Sequence, residues 1–142
     1  MNSRTAFAQT LRNGMRAIDT NVLVRLLAQD DPDQARAALE FVEAGAWISH
    51  LVLAESTWVL STVYQRTPKQ LAIALSQLLE HESLVVQDPD VVELALAHFK
   101  KRPSLGFSDC LIVELARKAG HLPLGTFDRD LGRLSGCERL KP

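Results

Sequence analysis

The stretch Met15–Leu27, MRAIDTNVLVRLL, decides the fold. It opens on a short apolar strand, Arg16-Ala17-Ile18, stops at a charged residue, Asp19, and passes at once into an apolar run with helical character. Strand, acid, helix is how a parallel α/β unit begins. The same alternation continues down the chain. Asp31-Pro32 predicts an N-cap followed by proline at the first helical position, opening a helix that ends near Gly45. Thr67-Pro68 repeats the device, with Leu71, Leu75, Leu78 and Leu79 on one stripe. Asp88-Pro89 repeats it again, with Val92, Leu96 and Phe99 on one face. Ser108 or Asp109 is expected to cap a further helix, with Ile112, Leu115, Ala116 and Ala119 facing inward and Gly120 as its stop.

Short apolar runs lie between these helices: Ala46-Trp47-Ile48, Leu84-Val85-Val86, Leu122–Phe127 and a weaker one near Cys137–Leu140. Strands this short, separated by helices, imply βαβ units and a small parallel sheet. Right-handed crossovers put helices on both faces, so the expected class is α/β with a three-layer α/β/α architecture. The segment His50–Tyr64 is apolar almost throughout and contains Glu55, which predicts a buried helix carrying one carboxylate; Trp47 and Trp58 are expected in the core. Residues 1–14 are polar and rich in small residues, and are expected to form an extension outside a domain spanning 15–142, with Met15 as an alternative start.

A chain of 142 residues is enough for one domain with a proper core. Its 46% hydrophobic and 23% charged residues exclude a disordered chain. No apolar run approaches the ~20 residues that span a bilayer. The formal net charge of −1 gives no overall basic footprint, so any nucleic acid must be met by local basic residues or a bound cation. The two cysteines, Cys110 and Cys137, form no CxxC pair and no zinc-like cluster, and suit a reducing cytoplasm. The four histidines show no catalytic pattern and are expected in surface or local bonding.

Four acids stand where ligands bind. Open parallel sheets hold ligands at the carboxyl ends of their strands. Asp19 follows the first strand and Asp128 follows Leu122–Phe127. Asp109 begins a helix, and Glu55 lies one turn into the apolar helix. Each has an ordinary reading: Asp19 and Asp109 as caps, Asp128 as a turn residue, Glu55 as a carboxylate with a local partner. Only a shared site explains all four. Clustered carboxylates cannot all ionise without a cation, and an all-oxygen set suits magnesium or manganese. Such an ion lowers the pKa of a bound water and neutralises charge developing at phosphorus. Asp130 competes with Asp128 for the fourth place. It is expected to cap the short helix beginning near Leu131, which leaves Asp128 for the site.

Together these residues resemble the PIN domain, the nuclease fold of VapC-type toxins in bacterial toxin–antitoxin pairs. MRAIDTNVLVRLL resembles its first motif, VLAESTWVL (52–60) its second with Glu55, GFSDCLIVELARKAG (106–120) its third with Asp109, and LGTFDRDL (124–131) its fourth with Thr126 and Asp128. The resemblance runs in order over nearly all of 15–140. It implies a divalent-metal endoribonuclease acting by water attack on a phosphodiester and leaving 5′-phosphate and 3′-hydroxyl ends. It also implies a homodimer and a cognate antitoxin partner. Asp19, Glu55, Asp109 and Asp128 would hold Mg2+ or Mn2+ directly or through water; Thr20, Asn21 and Thr126, with Asp130 beside them, would support that shell. Arg25, Arg129 and Arg133 lie close to the acid-bearing turns and are candidates for phosphate contact, whereas Lys100-Lys101-Arg102 ends a helix, where cations suit the dipole.

Other classes fit less well. A haloacid-dehalogenase-type phosphatase needs Asp-x-Asp after the first strand, and the second place here is Asn21. A receiver domain needs paired acids there and a separate phosphate-accepting Asp. No P-loop or GxGxxG is present. The non-enzyme alternative is a degenerate PIN domain serving only as a binding module, against which the presence of all four acids argues.

Overall fold

Two helices, those opened by Asp31 and Thr67, start on the cap residue where the sequence places it. In the computed structural model, which describes residues 14–142, the chain runs β1 (Arg16–Ala17), α1 (Thr20–Ala28), α2 (Pro32–Val42), β2 (Ala46–Ile48), α3 (His50–Thr62), α4 (Pro68–Glu80), β3 (Leu84–Val86), α5 (Pro89–Lys101), α6 (Phe107–Ala119), β4 (Leu124–Thr126) and β5 (Cys137–Arg139). Single 3-10 turns stand at Pro103–Leu105 and Leu131–Arg133. The N-terminal extension lies outside the described residues, apart from Gly14.

Asp31 accepts from the Gln34 amide and starts α2 on Pro32. Thr67 and Gln70 form a reciprocal capping box at α4. Asp88 departs from the expectation. It adopts a left-handed conformation and makes no cap bond; its carboxylate lies 3.4 Å from Lys118 on α6 instead. The α6 expectation fails in two ways. The helix begins at Phe107 behind Gly106, so neither Ser108 nor Asp109 caps it. Its inner face is Cys110, Leu111, Val113 and Glu114, whereas Ile112 is half exposed. The cause is Glu114, a charged residue in the true inner stripe, which makes the neighbouring stripe look like the apolar one. Gly120 does stop the helix, in the left-handed conformation that spares a Cβ.

The strands β1, β2 and β3 pair in parallel in that order, with Ala17 opposite Trp47 and Ile48 opposite Val86. A second parallel pair joins β4 to β5, with Thr126 opposite Arg139. Helices cover both sides of the strands, giving the three-layer α/β/α arrangement of mixed helix and small parallel sheet. The core is drawn from every layer: Leu23 of α1, Ile48 of β2, Leu53 of α3, Val92 of α5 and Val113 of α6 are all buried. The stripe of α4 points inward through Leu71, Leu75 and Leu78, each contributing roughly 1.5–3 kcal/mol by burial.

The helix α3 is not buried all round. His50, Leu53, Ser56, Thr57 and Leu60 face the core, but Leu51, Glu55 and Trp58 face outward. Trp47 is half buried, and Trp58, expected in the core, is 64% exposed. Apolar content in this segment exceeds what its inner face can bury, so composition misjudged its exposure. Among the described residues, no helix is long and apolar enough to cross a membrane.

Candidate active site

Asp19 leaves the end of β1 and caps α1, its Oδ1 accepting from the Val22 amide at 3.0 Å. The capping and site readings of this residue are compatible, because a carboxylate has a second oxygen to offer. The next residue, Thr20, donates from Oγ1 to Glu55 Oε2 at 2.7 Å. That bond ties α1 to α3 and settles what an acid in an apolar helix is partnered with: Glu55 is exposed and held by a hydroxyl. Asn21 is exposed on α1, lining with Asp19 a cleft toward Gln34 and Phe41 of α2.

The second group forms at α6 and the end of β4. Asp109 lies partly buried in the first turn of α6. Burial raises its carboxyl pKa, and the charge of Asp128 raises it further. Asp128 is exposed and locally anchored: its amide donates to Thr126 Oγ1 at 3.0 Å, and its Oδ1 accepts from the Leu131 amide at 2.8 Å. This corrects the expected division of labour. Asp128, not Asp130, caps the turn at Leu131, and Asp130 makes no side-chain cap bond there. An acid three residues before an amide reaches it as an N-cap does; Asp130, in helical conformation itself, cannot.

The structure thus brings Glu55 beside Thr20, next in the chain to Asp19, and brings Asp109 near Asp128. The donor set is all oxygen, which suits a hard cation. Its spacing is less complete: among the described residues no three His, Cys, Asp or Glu side chains stand close enough together to hold a metal ion.

The basic residues divide. Arg25 is engaged within the protein, donating to Gln34, Asp30 and Tyr64, whereas Arg129 and Arg133 are exposed. Cys110, next to Asp109, is fully buried, and its thiol pKa is pushed up to about 11, chiefly by desolvation. It is therefore no nucleophile near neutral pH. Both cysteines are unpaired. His50 bonds the Gln87 backbone oxygen at 2.6 Å, a local role as expected. His98 carries more: it sits 2.8 Å from Glu114, which is 3% exposed and also paired with Arg117. Sequence reasoning missed this network, because a lone Glu in a helix carries no mark of burial.

A family model for the PIN domain matches residues 17–136, a span that contains all four acids. The chain belongs to the PIN-domain family. PIN domains are generally nucleases and typically use divalent metal ions. No curated protein and no solved structure matches this chain. In this PIN domain Asp19 and Asp128 follow the ends of β1 and β4, Asp109 stands in the first turn of α6 and Glu55 in the second turn of α3; strand ends are where an open parallel sheet exposes a ligand site.

Proposed function

We propose that this PIN domain is a divalent-cation-dependent endoribonuclease, with Asp19, Glu55, Asp109 and Asp128 as its acids and Mg2+ or Mn2+ as its metal. The observation that carries the reading is Asp109, a partly buried carboxylate whose ionisation is opposed by burial and by Asp128. Perturbed acids paired in this way mark functional sites, and a cation relieves the repulsion. When bound, the cation supplies a Lewis acid and an activated water. The protein supplies orientation. Val22 and Leu131 amides each hold one oxygen of Asp19 and Asp128, and Thr20 holds Glu55. Thr126 supports Asp128 from behind. Arg129 and Arg133 are available for phosphates; Arg25 is withdrawn from that role by its internal partners.

A toxin role, a cytoplasmic location, a homodimer and an antitoxin partner belong to the same proposal. The leucine stripe of α4 is consumed by the core, so a dimer would use outward residues such as Val63 and Ile73, both at least half exposed. An antitoxin would offer an arginine to the carboxylates, since that pair is bidentate and strong.

The test is cleavage of a mixed RNA pool with Mg2+, with Mn2+ and with chelator. Wild type should cut only with metal. Asp19→Asn, Asp109→Asn and Asp128→Asn should each lose orders of magnitude, whereas Asp130→Asn should cut at the wild-type rate. Asparagine keeps the acceptor that caps Leu131, so Asp128→Asn isolates the charge. Normal cutting by the first three variants, or metal-independent cutting by wild type, overturns the assignment.

A further inference from the structure

Two aromatic rings stand far out of the protein, and both lie beside acids of the proposed site. Trp58 is 64% exposed and Phe127 is 67% exposed; the other aromatic residues among those described are buried or half buried. Trp58 follows Glu55 by three positions on α3, the spacing at which helical side chains are surface neighbours. Phe127 directly precedes Asp128. Trp58 also walls a groove of about 240 Å3 whose other lining includes Ser61, Pro103, Phe107, Ser108 and Asp109. One indole therefore neighbours both halves of the acidic site: Glu55 by helical spacing, Asp109 by the shared groove.

We propose that Trp58 is a stacking platform for an unpaired RNA base next to the phosphate at the carboxylates, with Phe127 serving a neighbouring base in the same way. This rests on the ribonuclease reading above and extends it to how substrate is held. Three features favour RNA over a second protein in the groove. Asp109 lines the same groove as Trp58, so a ligand seated on the indole lies beside one of the proposed acids. The neighbour of Trp58 on the helix surface is a carboxylate, which an apolar protein interface would have to desolvate. The chain has a net charge of −1 and cannot draw RNA by a general basic field; base–aromatic stacking supplies affinity that needs no such field and tolerates any sequence. The hydroxyls of Ser61 and Ser108 border the groove and can meet the polar edge of a base seated there. A duplex keeps its bases stacked on each other, so the platform selects unpaired segments.

The test uses the full chain carrying Asp19→Asn, titrated with a short single-stranded RNA and with the same strand in a duplex. Tryptophan fluorescence is the readout, since a base stacked on Trp58 quenches it. The second tryptophan, Trp47, is half buried in β2 and reports as background. The single strand should quench and the duplex should not. Trp58→Ala should weaken single-strand binding roughly ten-fold or more, Trp58→Phe should restore most of it without the quench, and Phe127→Ala should weaken it as well. In the cleavage-competent protein, Trp58→Ala should raise KM with little change in kcat. Unchanged affinity in Trp58→Ala overturns the proposal, as does equal quenching by duplex. A spectral shift that grows with protein concentration alone, without RNA, overturns it in favour of a second copy of the chain. A wild-type protein that binds and quenches but never cuts RNA would instead sink the ribonuclease reading and leave the platform standing.

Discussion

At Asp109 the protein holds a carboxylate that resists ionisation. Its pKa is raised above the ordinary Asp value of 3.8 by burial first and Asp128 second. A raised pKa means that the folded state binds this proton more tightly than the unfolded chain does. The stability it contributes is fully present below 3.8 and is lost as pH rises through the folded value. At neutral pH the ionised acid therefore works against the fold. Asp109→Asn removes that cost, so the metal-free variant should melt above wild type at neutral pH while losing cleavage. The gain should fade as the pH is lowered toward 3.8, where the wild-type side chain is protonated too. Melting curves across pH check this, and a variant that melts below wild type at neutral pH contradicts it. A residue that lowers stability where it serves activity fits a site acid better than a cap. Indeed Asp109 caps nothing, although its place at a helix start made that reading natural.

Among the elements, the turn after β4 shows how narrowly Asp128 is placed. The 3-10 turn Leu131–Arg133 packs across β5, and a Cβ on Gly132 would lie 2.7 Å from Arg139 Cβ. The Gly132 amide also donates to the Asp128 backbone oxygen at 3.0 Å. Glycine is needed here for close approach, not for an unusual dihedral. Gly132→Ala must push the turn off β5, at a cost of roughly 1–3 kcal/mol for overpacking. It should shift Asp128 with it. The expected outcome is a lower melting temperature together with reduced cleavage, measured on the same preparation; wild-type values for both would show that the turn has slack. The helix α3 teaches the opposite lesson about reading elements. Its outward apolar residues, Leu51 and Trp58, are what its sequence cannot distinguish from its inward Leu53 and Leu60.

Over the whole molecule, one buried acid joins parts that are distant in sequence. Glu114 on α6 meets His98 of α5 at 2.8 Å and Arg117 at 3.2 Å. Arg117 then donates to the Ser135 carbonyl at 2.6 Å, just before β5. The pair β4–β5 carries Asp128, and α6 carries Asp109, so this network spans the two elements whose separation sets that acid pair. Replacing Glu114 by Ala removes the buried charge and leaves His98 and Arg117, 27% and 36% exposed, to water, so the loss is that of hydrogen bonds to a charged group, about 1.5–3 kcal/mol. Glu114→Ala should therefore lower the melting temperature by several degrees, at about 2–4 °C per kcal/mol, and Glu114→Gln by less, since its oxygen still accepts. Thermal melts of both variants decide the matter. Equal loss in the two would mean that charge rather than hydrogen bonding holds the network.

The amino-acid sequence alone determined the order of elements, because caps, prolines and apolar periods are local. Asp31-Pro32, Thr67-Pro68 and Gly120 act through bonds within a few residues of themselves, and the structure finds them at work. It also determined the family, whose motifs are patterns of spacing along the chain, and singled out four candidate acids within them. Tertiary structure alone decided which faces of α3 and α6 are inside and what the acids meet, whereas the inward stripes of α4 and α5 were legible from their periods. The stripe of α6 could not be read until Glu114 was seen bonded to His98 of α5 as well as to Arg117 on its own helix, because burial of a charge depends on partners, and one of these is distant in sequence. Glu55 was a carboxylate in need of a partner, and only the packing of α1 on α3 supplied Thr20. Asp128 and Asp130 lie two residues apart with the same chemistry. The conformation of one turn, set by its packing on β5, gave the cap to Asp128.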